Sequence, residues 1–362
     1  MDPLPHFSRS YAEARAKFVA AARAAGHAVE THLMPDRTGV DGEPLAIDVA
    51  LAGSPTAQGV LVLTSATHGI EGYCGSGVQI ALMHDAGVSR TAVDSGVAVV
   101  WVHAVNPHGF SFGRRVNEDN VDLNRNFRDF SVPPPVNAGY ADIHDLLLPP
   151  HWPPSAEHEA KSLAYIAAHG ARTYQTAVTG GQYAYPDGLF YGGTRATWSN
   201  RTMRAVLRRH AAGRRRFGWI DIHTGLGPRG LGEKIFAGRN DAADLARTRA
   251  WWGAEVTSIY DASSSSAELT GLMFNSAYEE CAGVEYTGIG LEYGTLPLPA
   301  MLLALRADHW LHLHPEAPPA LRASIRQGMR DAFYIDADDW KIAVVAQARD
   351  ATSRALACLA KA

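Results

Sequence analysis

His68 and Glu71 stand three residues apart, just beyond the apolar run Val60-Leu-Val-Leu-Thr-Ser-Ala66. An imidazole and a carboxylate so spaced are ligand types that suit zinc, which in a catalytic site needs a third protein ligand and one open position. A second apolar run, Phe217-Gly-Trp-Ile-Asp-Ile-His223, ends in another imidazole, so His223 supplies the third ligand. Bound zinc lowers the pKa of its water and polarises a carbonyl, which makes hydrolysis of an amide or ester the matching chemistry. That reaction also needs a general base, and Glu292, at the end of Thr287-Gly-Ile-Gly-Leu-Glu292, is the candidate. Alone, a His-x-x-Glu pair is weak evidence and fits a surface or capping pair better. Three apolar runs that all end in such groups are a different matter, because the groups then have mutual roles.

The elements that must position these groups follow from the pattern. Continuous Val/Leu/Ile runs without a helical stripe read as buried strands, here at 45–51, 60–66, 97–103, 217–223 and 287–294. Tyr174–Val178 reads as a further strand. Helical segments are expected near 10–25, 76–86, 156–169, 197–211, 240–252, 299–313, 319–333 and 338–361. Alternation of this kind gives an α/β fold: a mixed, mostly parallel, twisted sheet flanked by helices. In such sheets ligands bind at the carboxyl ends of the strands, where His68, His223 and Glu292 would lie. The polar run 114–126 has too many asparagines for an element interior and reads as a loop. Residues 131–155, with seven prolines, read as a long irregular connection. With no internal repeat and no linker, residues 1–362 read as one domain, its motif-bearing core at about 45–315 and a C-terminal helical segment at about 316–362.

Composition bounds the function. The chain has 362 residues, 46% hydrophobic and 19% charged, ample for a large core. A net charge of −4 argues against a nucleic-acid partner, which needs a basic face. No apolar run reaches transmembrane length, so no membrane partner is expected. The start lacks a secretory pattern, and Cys74, Cys281 and Cys358 are few and without metal-type spacing, so a reduced, cytoplasmic protein is expected.

In chain order, His68-x-x-Glu71, Asn106-Pro-x-Gly109, Arg115, Val121-Asp-Leu-Asn-Arg-Asn-Phe127, Asp221-x-His223 and Glu292 resemble the motifs of the zinc carboxypeptidase superfamily. That superfamily includes the aspartoacylase and succinylglutamate desuccinylase deacylases. The chain looks most like a bacterial branch of it known only as a domain of unknown function. The resemblance implies a carboxypeptidase-like (phosphorylase/hydrolase-like) fold and one zinc ion on His68, Glu71 and His223. It makes Asp122 the carboxylate that orients the first zinc histidine. It assigns Arg115 to the scissile carbonyl and its oxyanion, and Asn124 with Arg125 to the substrate's free carboxylate. Glu292 becomes the residue that activates the metal water and protonates the leaving amine.

A mobile tyrosine covers the substrate in carboxypeptidases; here Tyr278 and Tyr286 are both available. Gln182, Tyr183 and Tyr191, in the Gly/Tyr-rich stretch 179–193, are further candidate contacts. Conversely, Gly290-Leu-Glu-Tyr-Gly294 resembles a turn of the deacylase branch. The expected activity is therefore removal of a C-terminal amino acid from a small peptide or peptide-like amide, with N-acyl amino acid deacylation as the alternative. A non-catalytic zinc-binding protein is a third reading, and the presence of both Glu292 and Arg115 weighs against it.

Overall fold

The Val/Leu/Ile runs bury themselves as the centre of an eight-stranded sheet in the computed structural model, which describes residues 2–360. The strands are β1 (Ala28–Thr38), β2 (Pro44–Ala52), β3 (Gly59–Thr64), β4 (Ala98–His103), β5 (Arg216–Gly225), β6 (Gly232–Phe236), β7 (Thr257–Ser258) and β8 (Glu285–Gly294). Their order across the sheet is β1-β2-β4-β3-β5-β8-β6-β7. The centre, β4-β3-β5-β8, is parallel, whereas β1, β2 and β6 join it through antiparallel pairs. The sheet is thus mixed and flanked by helices, the fold class expected from the alternation of elements.

Alternate residues of the central strands feed two cores. Leu61, Leu63, Ile220 and Ile222 pack with the Tyr11–Ala24, Gly72–Met83 and Asp338–Leu359 helices. Val60, Val62, Phe217 and Trp219 pack on the opposite face with the Trp198–His210 helix. Among the described residues no helix is long and apolar enough to cross a membrane.

The strand order decides where a ligand can sit. From β3 the chain continues through the Gly72–Met83 and Ala86–Ser95 helices to β4 on one side, while β5 occupies the other side of β3. A crevice opens at the carboxyl end of such a reversal. His68 lies just past β3, His223 lies two residues before the end of β5, and Glu292 of β8 is the register partner of His223.

Several elements differ from expectation. Tyr174–Val178 is helical, within Ala171–Thr179, because its buried positions follow a helical stripe (Tyr174, Gln175, Ala177, Val178) rather than alternation. The proline-rich stretch 131–155 contains a helix, Ala138–Leu147, whose first turn is capped by the Asn137 side chain. β1 gave no clear signal because it is an edge strand with mostly polar, partly exposed residues. β6 and β7 are too short to show a period.

The turn that carries His68 and Glu71 depends on one close approach. Its Gly69 and Ile70 amides donate to the carbonyls of Arg115 (3.0 Å) and Arg114 (2.8 Å). A Cβ on Gly69 would lie 2.0 Å from the Gly109 carbonyl carbon and 2.2 Å from the Phe110 nitrogen. Asn106 fixes the opposing backbone, accepting from the Gly109 amide (2.8 Å) and donating to the Arg115 carbonyl (3.2 Å). Gly69→Ala must therefore push backbone against backbone. Denaturant unfolding should show a loss of about 1–3 kcal/mol, with weakened metal binding; unchanged stability would contradict this packing.

Candidate metal centre and substrate cavity

His68, Glu71 and His223 are all buried, and their ligand atoms lie within 4.8 Å of one another. His68 Nδ1 is 2.8 Å from Glu71 Oε1, and His223 Nδ1 is 2.8 Å from Glu71 Oε2. Each imidazole thus presents the same nitrogen to the centre, and its other nitrogen has a carboxylate nearby, in contact for His223 and at longer range for His68. His223 Nε2 is 2.6 Å from Asp221 Oδ2, and His68 Nε2 is 3.4 Å from Asp122 Oδ1. Asp221 is itself fixed by the hydroxyls of Thr64 (2.6 Å) and Thr67 (2.8 Å). Paired imidazole nitrogens backed by carboxylates are what metal-ligating histidines require, since the outer partner fixes ring orientation and tautomer. The donor set fits zinc: two nitrogens and a carboxylate, converging on one point.

The charges are strongly coupled. Burial alone would raise the carboxyl pKa of Glu71, but His68 and His223 outweigh it and hold the group at about 2. Burial would lower the imidazole pKa of His223, yet Asp221 and Glu71 carry it well above 6.5. The protein thus maintains an anionic nest that a proton satisfies in one state and a metal cation suits in another.

Arg115 reaches the same centre. Its Nε donates to Asp122 Oδ2 at 2.9 Å, its NH1 approaches Glu71 Oε1 at 3.4 Å, and its NH2 lies 2.8 Å from His68 Nε2. Asp122 is fully buried; burial would raise its pKa, but Arg115, Arg125 and His68 hold it well below the usual carboxylate range. A metal on His68 Nδ1 needs a proton on Nε2, which then faces Asp122 and leaves the Arg115 NH2 group free to turn to another acceptor.

Glu292 faces the centre from the side of β8, its Oε1 accepting the Leu226 amide at 2.9 Å. Burial and the neighbouring Glu71 charge push its pKa up to about 8, against the opposing pull of His223, the Leu226 amide and Arg115. A carboxyl group poised near neutrality beside a metal nest can both take and return a proton.

Arg125 is only 2% exposed, yet it has no carboxylate within ion-pair distance among the described residues. Its guanidinium donates to neutral carbonyls, those of Asn124 (2.8 Å) and Thr179. Asn124 is pinned by accepting the Met273 amide at 3.0 Å. Arg115, Asn124, Arg125 and Glu292 share one cavity with His68, Glu71 and His223. The remaining wall is mostly apolar: Ile235, Ile259, Leu272 and Phe274 on one side, Met301, Leu305 and Phe333 on another.

The candidate tyrosines and Gln182 require correction, since none lines the cavity, and among the described residues neither does any other tyrosine. Tyr278 accepts the Arg239 amide at 3.0 Å and stacks under the Arg239 guanidinium at 4.0 Å. Tyr286 is buried against Phe217 (4.9 Å) and lies six residues, about 20 Å, back along β8 from Glu292. Gln182 staples its own loop, donating to the Tyr185 carbonyl (2.8 Å) and accepting the Tyr185 amide (2.8 Å). Tyr183 supports the site from behind, its hydroxyl donating to the Arg125 carbonyl at 2.6 Å. Tyr191 contributes its carbonyl, which accepts the Asp122 amide at 2.8 Å. Of the phenylalanines that line the cavity, Phe190 is the one set against the cations, its ring 5.2 Å from the Arg115 guanidinium and 5.5 Å from that of Arg125. Its backbone φ of 54° is unusual for a phenylalanine and aims the ring between the two cations. Only the Gly/Tyr-rich character of 179–193 pointed there; nothing marked Phe190 itself.

The chain belongs to the family described as "Protein of unknown function (DUF2817)", whose model matches residues 7–347, the kind of branch that the motif resemblance implied. No curated protein matches it significantly. Among solved structures it is similar to carboxypeptidase A from Helicoverpa armigera (13% identity, TM-score 0.47, 95% of this chain and 74% of that one). It is also similar to a metallo-carboxypeptidase from Burkholderia cenocepacia (14%, 0.40, 98% and 70%). A third is bovine thrombin-activatable fibrinolysis inhibitor, solved with tick carboxypeptidase inhibitor (12%, 0.43, 98% and 98%).

The raised pKa of Glu292 has a measurable consequence in metal-free protein. A folded-state value of about 8, above the ordinary 4.5, stabilises the fold fully below pH 4.5, and that contribution is lost as pH rises through 8. Glutamine cannot ionise and escapes the loss. In chelator, Glu292→Gln should therefore gain on wild type between pH 5 and pH 9, by on the order of 3–5 kcal/mol. Parallel thermal-unfolding curves for the two proteins across that range would refute the assignment.

Proposed function

We propose that this protein is a zinc-dependent hydrolase that cleaves an amide bond adjacent to a free carboxylate, a carboxypeptidase-type reaction on a small substrate. The observation that carries the reading is Arg125: a buried cation with no carboxylate within ion-pair distance among the described residues, in the same cavity as a His, Glu, His donor set. Burying a guanidinium among neutral carbonyls is costly, and a ligand carboxylate in bidentate contact relieves that cost. Three of the five guanidinium N–H groups are engaged, which leaves two for the ligand.

His68, Glu71 and His223 would hold the zinc, which when bound supplies a Lewis acid and a water of lowered pKa. Arg125, with Asn124, anchors the substrate carboxylate and so fixes which amide is presented. Arg115 turns an N–H to the carbonyl oxygen of that amide and steadies the negative charge that develops there. Glu292 accepts a proton from the attacking water and delivers it to the leaving nitrogen. Phe190 keeps the two guanidinium groups apart, and the apolar walls exclude bulk water, which strengthens each of these charges.

The test uses metal-reconstituted and chelator-treated protein with N-blocked dipeptides and N-acyl amino acids, each with a free or an amidated C-terminus. Hydrolysis should need both metal and free carboxylate. Glu292→Gln should lose at least 10²–10⁴-fold in kcat while retaining zinc stoichiometry. Arg125→Met should lose about 10²–10³-fold in kcat/KM, chiefly through KM. Equal turnover of amidated substrates would remove Arg125 from this role.

A further inference from the structure

We infer that the side of the cavity away from Arg125 is an acyl pocket, and that the substrate is an N-acyl amino acid with an apolar acyl chain rather than a peptide with a free amino end. This rests on the reading of Arg125 as the carboxylate anchor. With the carboxylate there and the scissile carbonyl at Arg115 and Glu292, the acyl substituent must point away from Arg125. That direction meets the Leu298–Leu313 helix and the end of the Pro319–Phe333 helix.

The helix presents Leu298, Met301, Leu302 and Leu305 to the cavity, an i, i+3, i+4, i+7 stripe. Its nearness to the reacting groups is visible at Gly225. A Cβ there would meet Met301 Sδ at 3.2 Å, Glu292 Oε1 at 3.3 Å and Phe333 Cε1 at 3.3 Å. Leu298 and Leu302 are partly exposed, so the stripe is an apolar wall without a complete apolar partner.

Polar groups beside this wall are already matched. The Thr224 hydroxyl donates to the Phe333 carbonyl at 2.6 Å, the Thr295 amide donates to the Gly225 carbonyl at 3.1 Å, and the Thr295 hydroxyl donates to the Ala332 carbonyl at 2.6 Å. The Leu226 amide is held by Glu292. An extended peptide would bring amide groups that find no partner here. A dipeptide would bring an ammonium, yet among the described residues the only acids lining the cavity are Glu71 and Glu292, both engaged at the centre. A hydrocarbon chain asks for neither. In the hydrolysis the amide C–N bond breaks, the water oxygen bonds to the acyl carbon, and the nitrogen takes a proton, releasing a carboxylate and an amino acid.

One substrate pair isolates the ammonium: Leu-Leu and its desamino analogue, N-(4-methylpentanoyl)-leucine. The zinc-loaded enzyme should prefer the analogue at least tenfold in kcat/KM. Along N-acetyl-, N-butanoyl-, N-hexanoyl- and N-octanoyl-leucine, kcat/KM should rise, by up to roughly fourfold per methylene, until the pocket is full. Met301→Trp should cut the octanoyl-to-acetyl ratio at least tenfold. Leu302→Trp, at a partly exposed position, repeats the test should the first variant not fold. Preference for Leu-Leu, or a flat chain-length series, would overturn the acyl pocket while leaving a hydrolase in place. If no member is hydrolysed, the catalytic reading fails instead. Calorimetric binding of the same series to zinc-loaded Glu292→Gln protein then decides the pocket, with affinity that rises with chain length supporting it and constant affinity overturning it.

Discussion

A buried carboxylate pressed between two imidazoles is the constraint on which the rest of this structure depends. Glu71 is 1% exposed, and a lone carboxylate so placed would protonate or destabilise the fold. It stays ionised because His68 and His223 face it at 2.8 Å each, and those rings are aimed by Asp122 and Asp221 in turn. The compensation continues outward, through Thr64 and Thr67 on Asp221 and Arg115 on Asp122. Every member needs its neighbour, so the charges form a network that is satisfied as a whole or not at all.

Strands alone can hold such a network in register. His223 and Glu292 are direct partners in the β5–β8 ladder, and β3 delivers the His68 turn beside them. Loops supply the remainder, but loops that are clamped. The Arg114 and Arg115 carbonyls receive the amides of the Gly69-Ile70 turn, and Asn126 ties the 121–127 segment to the carbonyls of Gly192 and Arg195 at 2.9 Å each. The asparagine richness of that segment, unfavourable in any helix or strand interior, is explained by such side-chain contacts to irregular backbone.

The difference between what could and could not be read from the sequence follows from the same division. The strands β2, β3, β4, β5 and β8 announced themselves, because burial demands largely apolar runs, and a charged residue at the end of such a run has few bland explanations. The convergence of His68, Glu71, His223 and Glu292 on one cavity was legible for that reason, and so was the α/β fold. Residues that meet the cavity through tertiary packing carry no such mark. Phe190 sits in a loop with no period, and the Met301 stripe looks like any amphipathic helix, since facing a cavity and facing a core require the same side chains. The candidate tyrosines failed for a related reason. Tyr286 lies on a buried strand, where a large aromatic side chain is ordinary packing, and Tyr278 is engaged by Arg239.

The apolar walls and the charge network support each other. Charges act most strongly where water is excluded, and the Leu298–Leu313 helix excludes it from the side on which Arg115 and Glu292 lie. The same helix is tied to the polar loop by Asp308, which accepts from Arg114 Nε at 3.1 Å. Arg114 and Arg115 are adjacent in sequence but divide the work: one locks the wall to the loop, the other points into the centre. Moving the wall would therefore disturb the backbone on which Arg115 and the Gly69-Ile70 turn depend. Cavity shape and the geometry of the His68, Glu71, His223 set are consequently set by one shared piece of backbone, so a change in what the cavity accepts is constrained by the need to keep Glu71 paired.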